Sequence, residues 1–315
     1  MASCLLGIGS NLGDRRSQIV SAVSGLRAHP QIESVYLSSL HESRPVGGPP
    51  GQGSFLNAAA RLETSLEPHA VLRVTQECER SLGRQRSTAW DARLIDLDLL
   101  LFEDLVMADA QLQIPHPWMI VRNFVLAPSV EVAAAMIHPQ FGFTVEQLQE
   151  RLRTIPPRYV VWGDLSFLER AEITERCGGR WVGFSAKDPV GFVFPTGELD
   201  VEFVRSAVTL LTNSPWCEPN LMKPCLTEIW LDLVQTIAQR ELSGQELTDF
   251  QQLNTELTRS LPTPKLVVMV RSDRTSDIVA TMERELIRLK CSPFLTIPRS
   301  KRLVDQVASA VLASN

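Results

Sequence analysis

Asp96 and Asp98 stand one residue apart inside the run Arg93-Leu-Ile-Asp-Leu-Asp-Leu-Leu-Leu-Phe102. A segment so rich in leucine reads as a buried strand or a short buried helix, and carboxylates are expensive in either setting. In a strand, side chains alternate between faces, so both aspartates emerge on one side while Leu97 and Leu99 fill the other. Like charges at that spacing repel and raise one of the two pKa values unless a cation lies between them. A hard divalent cation fits, because magnesium is usually held by one or two carboxylates together with substrate phosphates. The competing reading is a solvated or salt-bridged pair on an edge strand, and the two residues alone do not choose.

The neighbouring sequence tilts the balance. From Pro68 to Leu82 the apolar residues Ala70, Val71, Val74, Cys78 and Leu82 recur near a helical period, with Gly83 placed as the stop. This helix carries Gln76 and Glu79. Arg84, Arg86 and Arg93 follow, flanking Trp90 and leading into the acidic strand. Arginine forks suit phosphate oxygens, so a magnesium site facing such a loop has the makings of a triphosphate clamp. A solvated basic loop is the plainer alternative, but it does not explain why the loop abuts buried acids. Downstream, the segment from Ile114 to Pro128 supplies His116, Arg122 and Phe124. Upstream, a glycine-rich loop from Gly51 enters a strand in which Phe55 and Asn57 share a face. The Asn57 amide can pair a donor and an acceptor with the edge of a heterocycle, although strand asparagines more often bond within the fold.

These blocks, taken in order with Gly7-Ile-Gly-Ser-Asn11-Leu-Gly-Asp14-Arg and Glu42-Ser-Arg-Pro45-Val46-Gly47, resemble the 6-hydroxymethyl-7,8-dihydropterin pyrophosphokinase family over about residues 4 to 135. The resemblance implies a ferredoxin-like α/β sandwich that moves a diphosphate from ATP to the pterin hydroxymethyl group and releases AMP. It implies that Asp96 and Asp98 bind two magnesium ions around the ATP phosphates, and that Arg84 and Arg93 contact phosphate. Gln76, Glu79, Arg86, His116 and Arg122 match residues that line the ATP site or contact the nucleotide. Asn57 matches the amide that reads the pterin edge, Phe55 and Phe124 match the aromatic pair around the ring, and Ser43, Pro45 and Val46 match the loop beside it. Phe55 stands where the family often has tyrosine, which keeps the stacking face and loses a hydroxyl. The loops at residues 43–54 and 83–92 carry the Gly, Ser and Arg content of closing lids.

At 315 residues the chain is about twice a common domain length, which predicts two domains, 1–154 and 155–315. A net charge of −5 argues against a general nucleic-acid binder. No apolar run is long enough to span a membrane, and the start lacks the charged opening of a signal peptide. Six cysteines without paired metal spacing read as free thiols, so a cytoplasmic location is expected. All five histidines precede residue 140, leaving the second half without imidazole chemistry.

In that second half, Tyr159 to Gly163 reads as a strand followed by a turn and a helix start. A phosphate-binding loop there requires glycine, four residues, then Gly-Lys-Ser/Thr. Gly163 is present, but the later positions hold Leu168, Glu169 and Arg170, and Glu169 places negative charge where lysine must meet phosphate. Further on, helices lead through Leu261-Pro-Thr-Pro264 to an apolar parallel-type strand at Leu266 to Val270, and Pro293 to Ile297 precedes a closing helix. This order is similar to deoxynucleoside kinases, whose arginine-rich lid is missing. The expectation is a P-loop-kinase-like parallel α/β domain that is degenerate and non-catalytic. The alternatives are a working nucleoside kinase in this half, or a pterin-binding chain that has lost catalysis. Asp96→Ala is predicted to abolish diphosphate transfer while leaving the fold intact; AMP release at the wild-type rate by that variant, with an unchanged circular dichroism spectrum, would remove the metal role.

Overall fold

The apolar run Ala2–Ser10 forms β1, with Cys4, Leu5 and Leu6 fully buried, and it is the strand around which the first sheet assembles. A strand buried on both faces needs a neighbour on each edge, and here the neighbours are β4 (Phe55–Thr64) and β5 (Asp96–Phe102), both antiparallel. Outside β4 lies β2 (Ile32–Leu37), and a short β3 (His41–Ser43) pairs with the opening of β4. The order is β2-β4-β1-β5, so β5 is an edge strand. The computed structural model describes residues 1–46, 51–84, 92–183, 209–218, 220–229, 234–235, 238–239, 242–258, 261–273, 275–289 and 292–314.

Two helices cover one face of this sheet. Helix α1 (Arg15–Arg27) is started by the Asp14 carboxylate, which accepts the Ser17 amide at 3.0 Å and is held below the usual carboxylate range mainly by that bond. Helix α2 (Pro68–Ser81) begins with proline at its first turn and ends before Gly83, whose φ of 86° suits the glycine foreseen there. Ile19, Ala22, Val23 and Leu26 of α1 and Val71 and Cys78 of α2 pack on Cys4, Leu6, Ile8, Ala58, Ala60, Leu62, Leu97 and Leu99. The opposite face is met by α3 (Asn123–Ala133), which contacts β1, β3 and β4. A two-stranded ribbon of β6 (Met107–Ala108) and β7 (Gln113–Ile114) and the helix α4 (Val145–Thr154) complete this part.

Contacts divide the chain into two compact units, Met1–Leu152 and, apart from the last two residues, Arg153–Ala313. The second is an α/β unit with β8 (Arg158–Gly163), α5 (Phe167–Cys177), β9 (Arg180–Val182), β10 (Cys225–Thr227), α6 (Gly244–Thr258), β11 (Leu266–Arg271), α7 (Ser276–Leu289), β12 (Phe294–Pro298) and α8 (Leu303–Ala313). Its strands are all parallel in the order β12-β11-β8-β10-β9. Such strands are covered on both faces, which is why Tyr159–Trp162 and Leu266–Val270 are continuous apolar runs with almost no exposure. Gly163 ends β8 with φ of 129°, and a Cβ there would lie 2.4 Å from the Val270 carbonyl oxygen, so the glycine serves close strand packing. The two helices expected between residues 227 and 261 fall partly outside the described residues, which include one of them, α6.

His138 shows how burial sets a pH response in the first unit. Its ring is 1 % exposed, stacks on Phe141 with centroids 4.6 Å apart, and has no partner at Nδ1. Burial pushes its pKa down to about 3. Because the folded pKa lies below the unfolded value of about 6.5, the contribution is present above that value and is lost as pH falls toward the folded pKa. Between pH 7.5 and 5 the protein should lose up to about 2 kcal/mol that the His138→Phe variant does not lose, measured as the difference between urea midpoints at the two pH values.

Candidate active site

The register of β1 explains how distant sequence blocks meet. Gly9 pairs with Asn57 of β4 on one side and with Asp96 of β5 on the other, and Gly7 pairs with Asp98. Directly paired residues point to the same face, so Asn57, Asp96 and Asp98 all emerge on the face opposite α1 and α2. Phe55 joins them, two residues before Asn57. Glycine at 7 and 9 leaves this stretch of β1 without side chains of its own, and a Cβ on Gly9 would sit 3.7 Å from Asn57 Oδ1 and 3.8 Å from the Phe55 ring.

The acids are ringed by cations. Asp96 Oδ1 lies 2.6 Å from Arg84, and its second oxygen pairs with Arg93. Arg84 also pairs with Glu79 on α2, and Arg122 reaches to 3.9 Å from Asp98. Burial, reinforced by neighbouring Asp98, holds the Asp96 carboxyl above the ordinary range against the pull of Arg93 and Arg84. Burial likewise pushes Glu79 up to about 7. Glu79 accepts the Leu97 amide at 2.7 Å, a donor left outward-facing because β5 is an edge strand. Gln76 lies one helical turn earlier on α2, half-buried.

Downstream residues return to the same edge. His116 donates its amide to the Leu100 carbonyl at 2.9 Å, and its ring Nδ1 accepts the Trp118 amide at 3.2 Å. Burial lowers its pKa against the attraction of Asp98, favouring the neutral ring. Arg122 immediately precedes α3, and its guanidinium lies over the rings of Trp118 and Phe124. On the other side, Asn57 donates to Ser43 Oγ at 2.8 Å and to the His41 carbonyl at 3.3 Å, tying β4 to β3. Ser43 pairs with Phe55, and Pro45 and Val46 follow it, both half-buried. Arg86 lies outside the described residues.

The sequence left one anchor without a role. Asn11 is buried; its Oδ1 accepts the Arg93 amide at 2.6 Å and its own amide donates to the Arg93 carbonyl at 3.0 Å. Ser10 Oγ adds a bond to the Leu94 carbonyl at 2.6 Å. Together they fix the approach to β5, and the signal was the Gly-Ser-Asn phrase itself. Among the described residues no group of three or more His, Cys, Asp or Glu side chains converges. Two carboxylates on one face still suit a hard cation that shares its remaining positions with phosphate oxygens.

Residues 5–134 match the family model for 7,8-dihydro-6-hydroxymethylpterin-pyrophosphokinase. The 2-amino-4-hydroxy-6-hydroxymethyldihydropteridine pyrophosphokinase of Bacillus subtilis is 42% identical over 127 residues, covering 40% of this chain and 75% of that protein. The Aquifex aeolicus enzyme of the same name is 38% identical over 44% of this chain and 85% of its own length. That of Methylorubrum extorquens is 37% identical over half of this chain and 96% of its own length. The chain belongs to the pterin pyrophosphokinase family. Asn57, Asp96 and Asp98 share one face of the sheet. Asn57→Ala should raise the dissociation constant for the pterin about tenfold or more by removing a buried polar partner, with ATP binding unchanged, as read by fluorescence titration of each ligand.

Proposed function

We infer that the N-terminal domain transfers diphosphate from ATP to 6-hydroxymethyl-7,8-dihydropterin, releasing AMP, in folate synthesis. The observation that carries the reading is the β1 register, which puts Asn57 and the acids Asp96 and Asp98 on one face, across positions of β1 occupied by Gly7 and Gly9. We assign residues 1–154 to this domain and read its split βαββαβ order as a ferredoxin-like sandwich. Family membership implies ATP and magnesium; two ions held by Asp96 and Asp98 are our proposal. When bound, magnesium supplies charge neutralisation on phosphoryl oxygens.

The protein's own groups do the rest. Arg84 and Arg93 bring fixed positive charge to the place where negative charge grows on the transferred group and on departing AMP. His116 and Arg122, with Gln76, Glu79 and Arg86, are assigned to the nucleotide. Phe55, Phe124, Ser43, Pro45 and Val46 are assigned to the pterin ring and its loop. Asn57 orients the heterocycle so that its hydroxyl faces the phosphates, and such positioning accounts for much of the acceleration in phosphoryl transfer. A silent pterin-binding protein would have no use for the Arg84–Asp96–Arg93 grouping. The five described free cysteines support a reducing, cytoplasmic setting.

For residues 155–315 we propose a degenerate kinase-like domain without phosphotransfer. Its parallel order turns about β8, and in open α/β sheets ligands bind outside the carboxyl ends of strands at such a reversal. At that end of β8 the start of α5 is already taken by a carboxylate: Glu169 accepts from the Ser166 amide and hydroxyl and pairs with Arg299 at 2.9 Å. A phosphate would meet negative charge there. The test is the full chain supplied with ATP, with and without magnesium and pterin. AMP should form only with both present, and the Asp96→Ala chain should produce no ADP when given deoxynucleosides. AMP formation independent of pterin, or nucleoside-dependent ADP, would replace this reading.

A further inference from the structure

Glu131 carries a cluster of bonds that none of the roles above uses. It lies on α3, and its Oε2 accepts the Ser39 amide at 2.7 Å. Its Oε1 accepts the Ser39 hydroxyl at 2.7 Å and lies 2.6 Å from His41 Nε2. Ser39 Oγ and His41 Nε2 are themselves 3.1 Å apart, which closes the group into a triangle. Ser39 and the side chain of His41 belong to the stretch that enters β3, so a single carboxylate on α3 grips the start of that strand.

The periodicity of both elements ties this grip to the pterin pocket. Glu131 follows Phe124 by seven residues, two helical turns, so both lie on one face of α3 about 10 Å apart along its axis. His41 precedes Ser43 by two residues, so both lie on one face of β3, about 7 Å apart. The contact of Glu131 with His41 thus lies on the same face of α3 as Phe124 and the same face of β3 as Ser43. Asn57 anchors β3 from the sheet side through Ser43 Oγ and the His41 carbonyl, and Glu131 anchors it from the helix side. Both residues are part-exposed, so the ion pair by itself is a weak stabiliser of the fold. The bonds from the Ser39 amide and hydroxyl to an ionised acceptor are stronger and directional.

We propose that Glu131 is a positioning residue for the pterin: it fixes the separation of α3 and β3, and so the width of the cleft between Phe124 and Ser43. The proposal rests on the assignment of Asn57, Ser43 and Phe124 to the pterin. Glu131→Ala should raise the pterin dissociation constant about tenfold, leave ATP binding unchanged, and raise KM for the pterin more than it lowers kcat. Glu131→Gln, which keeps one acceptor for the Ser39 amide but loses the second oxygen and the charge, should fall between the alanine variant and the wild type, and it decides the matter if the alanine variant does not fold. Combining His41→Ala with Glu131→Gln should give less than the product of the separate effects, since both act through one contact. An unchanged pterin affinity with only a lower melting temperature, or equal loss of pterin and ATP binding, would overturn the proposal. Asn57→Ala run in parallel separates the two levels. If that variant also binds pterin normally, the pocket assignment fails; if it alone weakens binding, only the role of Glu131 fails.

Discussion

Everything in the first unit is arranged around the cost of keeping Asp96 ionised on a half-buried strand. That cost is reduced from two directions, by Arg84 just past the end of α2 and by Arg93 at the approach to β5, whose amide is held by Asn11. An unpaired carboxylate in such surroundings would take up a proton instead, and a protonated acid holds a divalent cation poorly. Arg93 and Arg84 oppose that uptake, although burial and Asp98 still hold the carboxyl above its ordinary range. Guanidinium forks also match phosphate geometry, which is why Arg84 and Arg93 are the groups proposed above for the nucleotide.

That economy explains the roles of residues that touch no substrate. Asn11, through its Oδ1 and backbone N–H, and Ser10, through its hydroxyl, bond the backbone at Arg93 and Leu94, which makes that connection a mount for the arginine and the acid together. Glu79 caps the outward amide of Leu97 and at the same time pairs with Arg84. Edge strands present unpaired backbone donors, and here one such donor is used to lock the helix bearing the nucleotide-type residues to the strand bearing the acids.

Much of this was legible in the chain because it is governed by short-range rules. Alternation placed Asp96 and Asp98 together and Leu97 and Leu99 opposite them, proline and glycine bounded α2, and period two aligned Phe55 with Asn57. What could not be read depends on register between distant strands. Gly9 meets both Asn57 and Asp96 only because β1 lies between β4 and β5, and no local pattern encodes that order. The partners of Glu131 are about ninety positions away, and a lone glutamate late in a helix carries no signal of its own. In the second unit, β9 and β10 are each three residues long, too short for periodicity to mark, so the place of β10 between β8 and β9 was beyond reach.

The capping box at the start of α5 commits one side chain to two partners. Glu169 completes the first turn of that helix with Ser166 and holds Arg299 in a forked pair. A lysine at that position would strip the helix of its reciprocal cap and strand the Arg299 guanidinium beside a second cation. Loss of a cap alone costs about 1 kcal/mol. The first turn of α5 and the residue that follows β12 are therefore joined through a single carboxylate, and a substitution there loosens both.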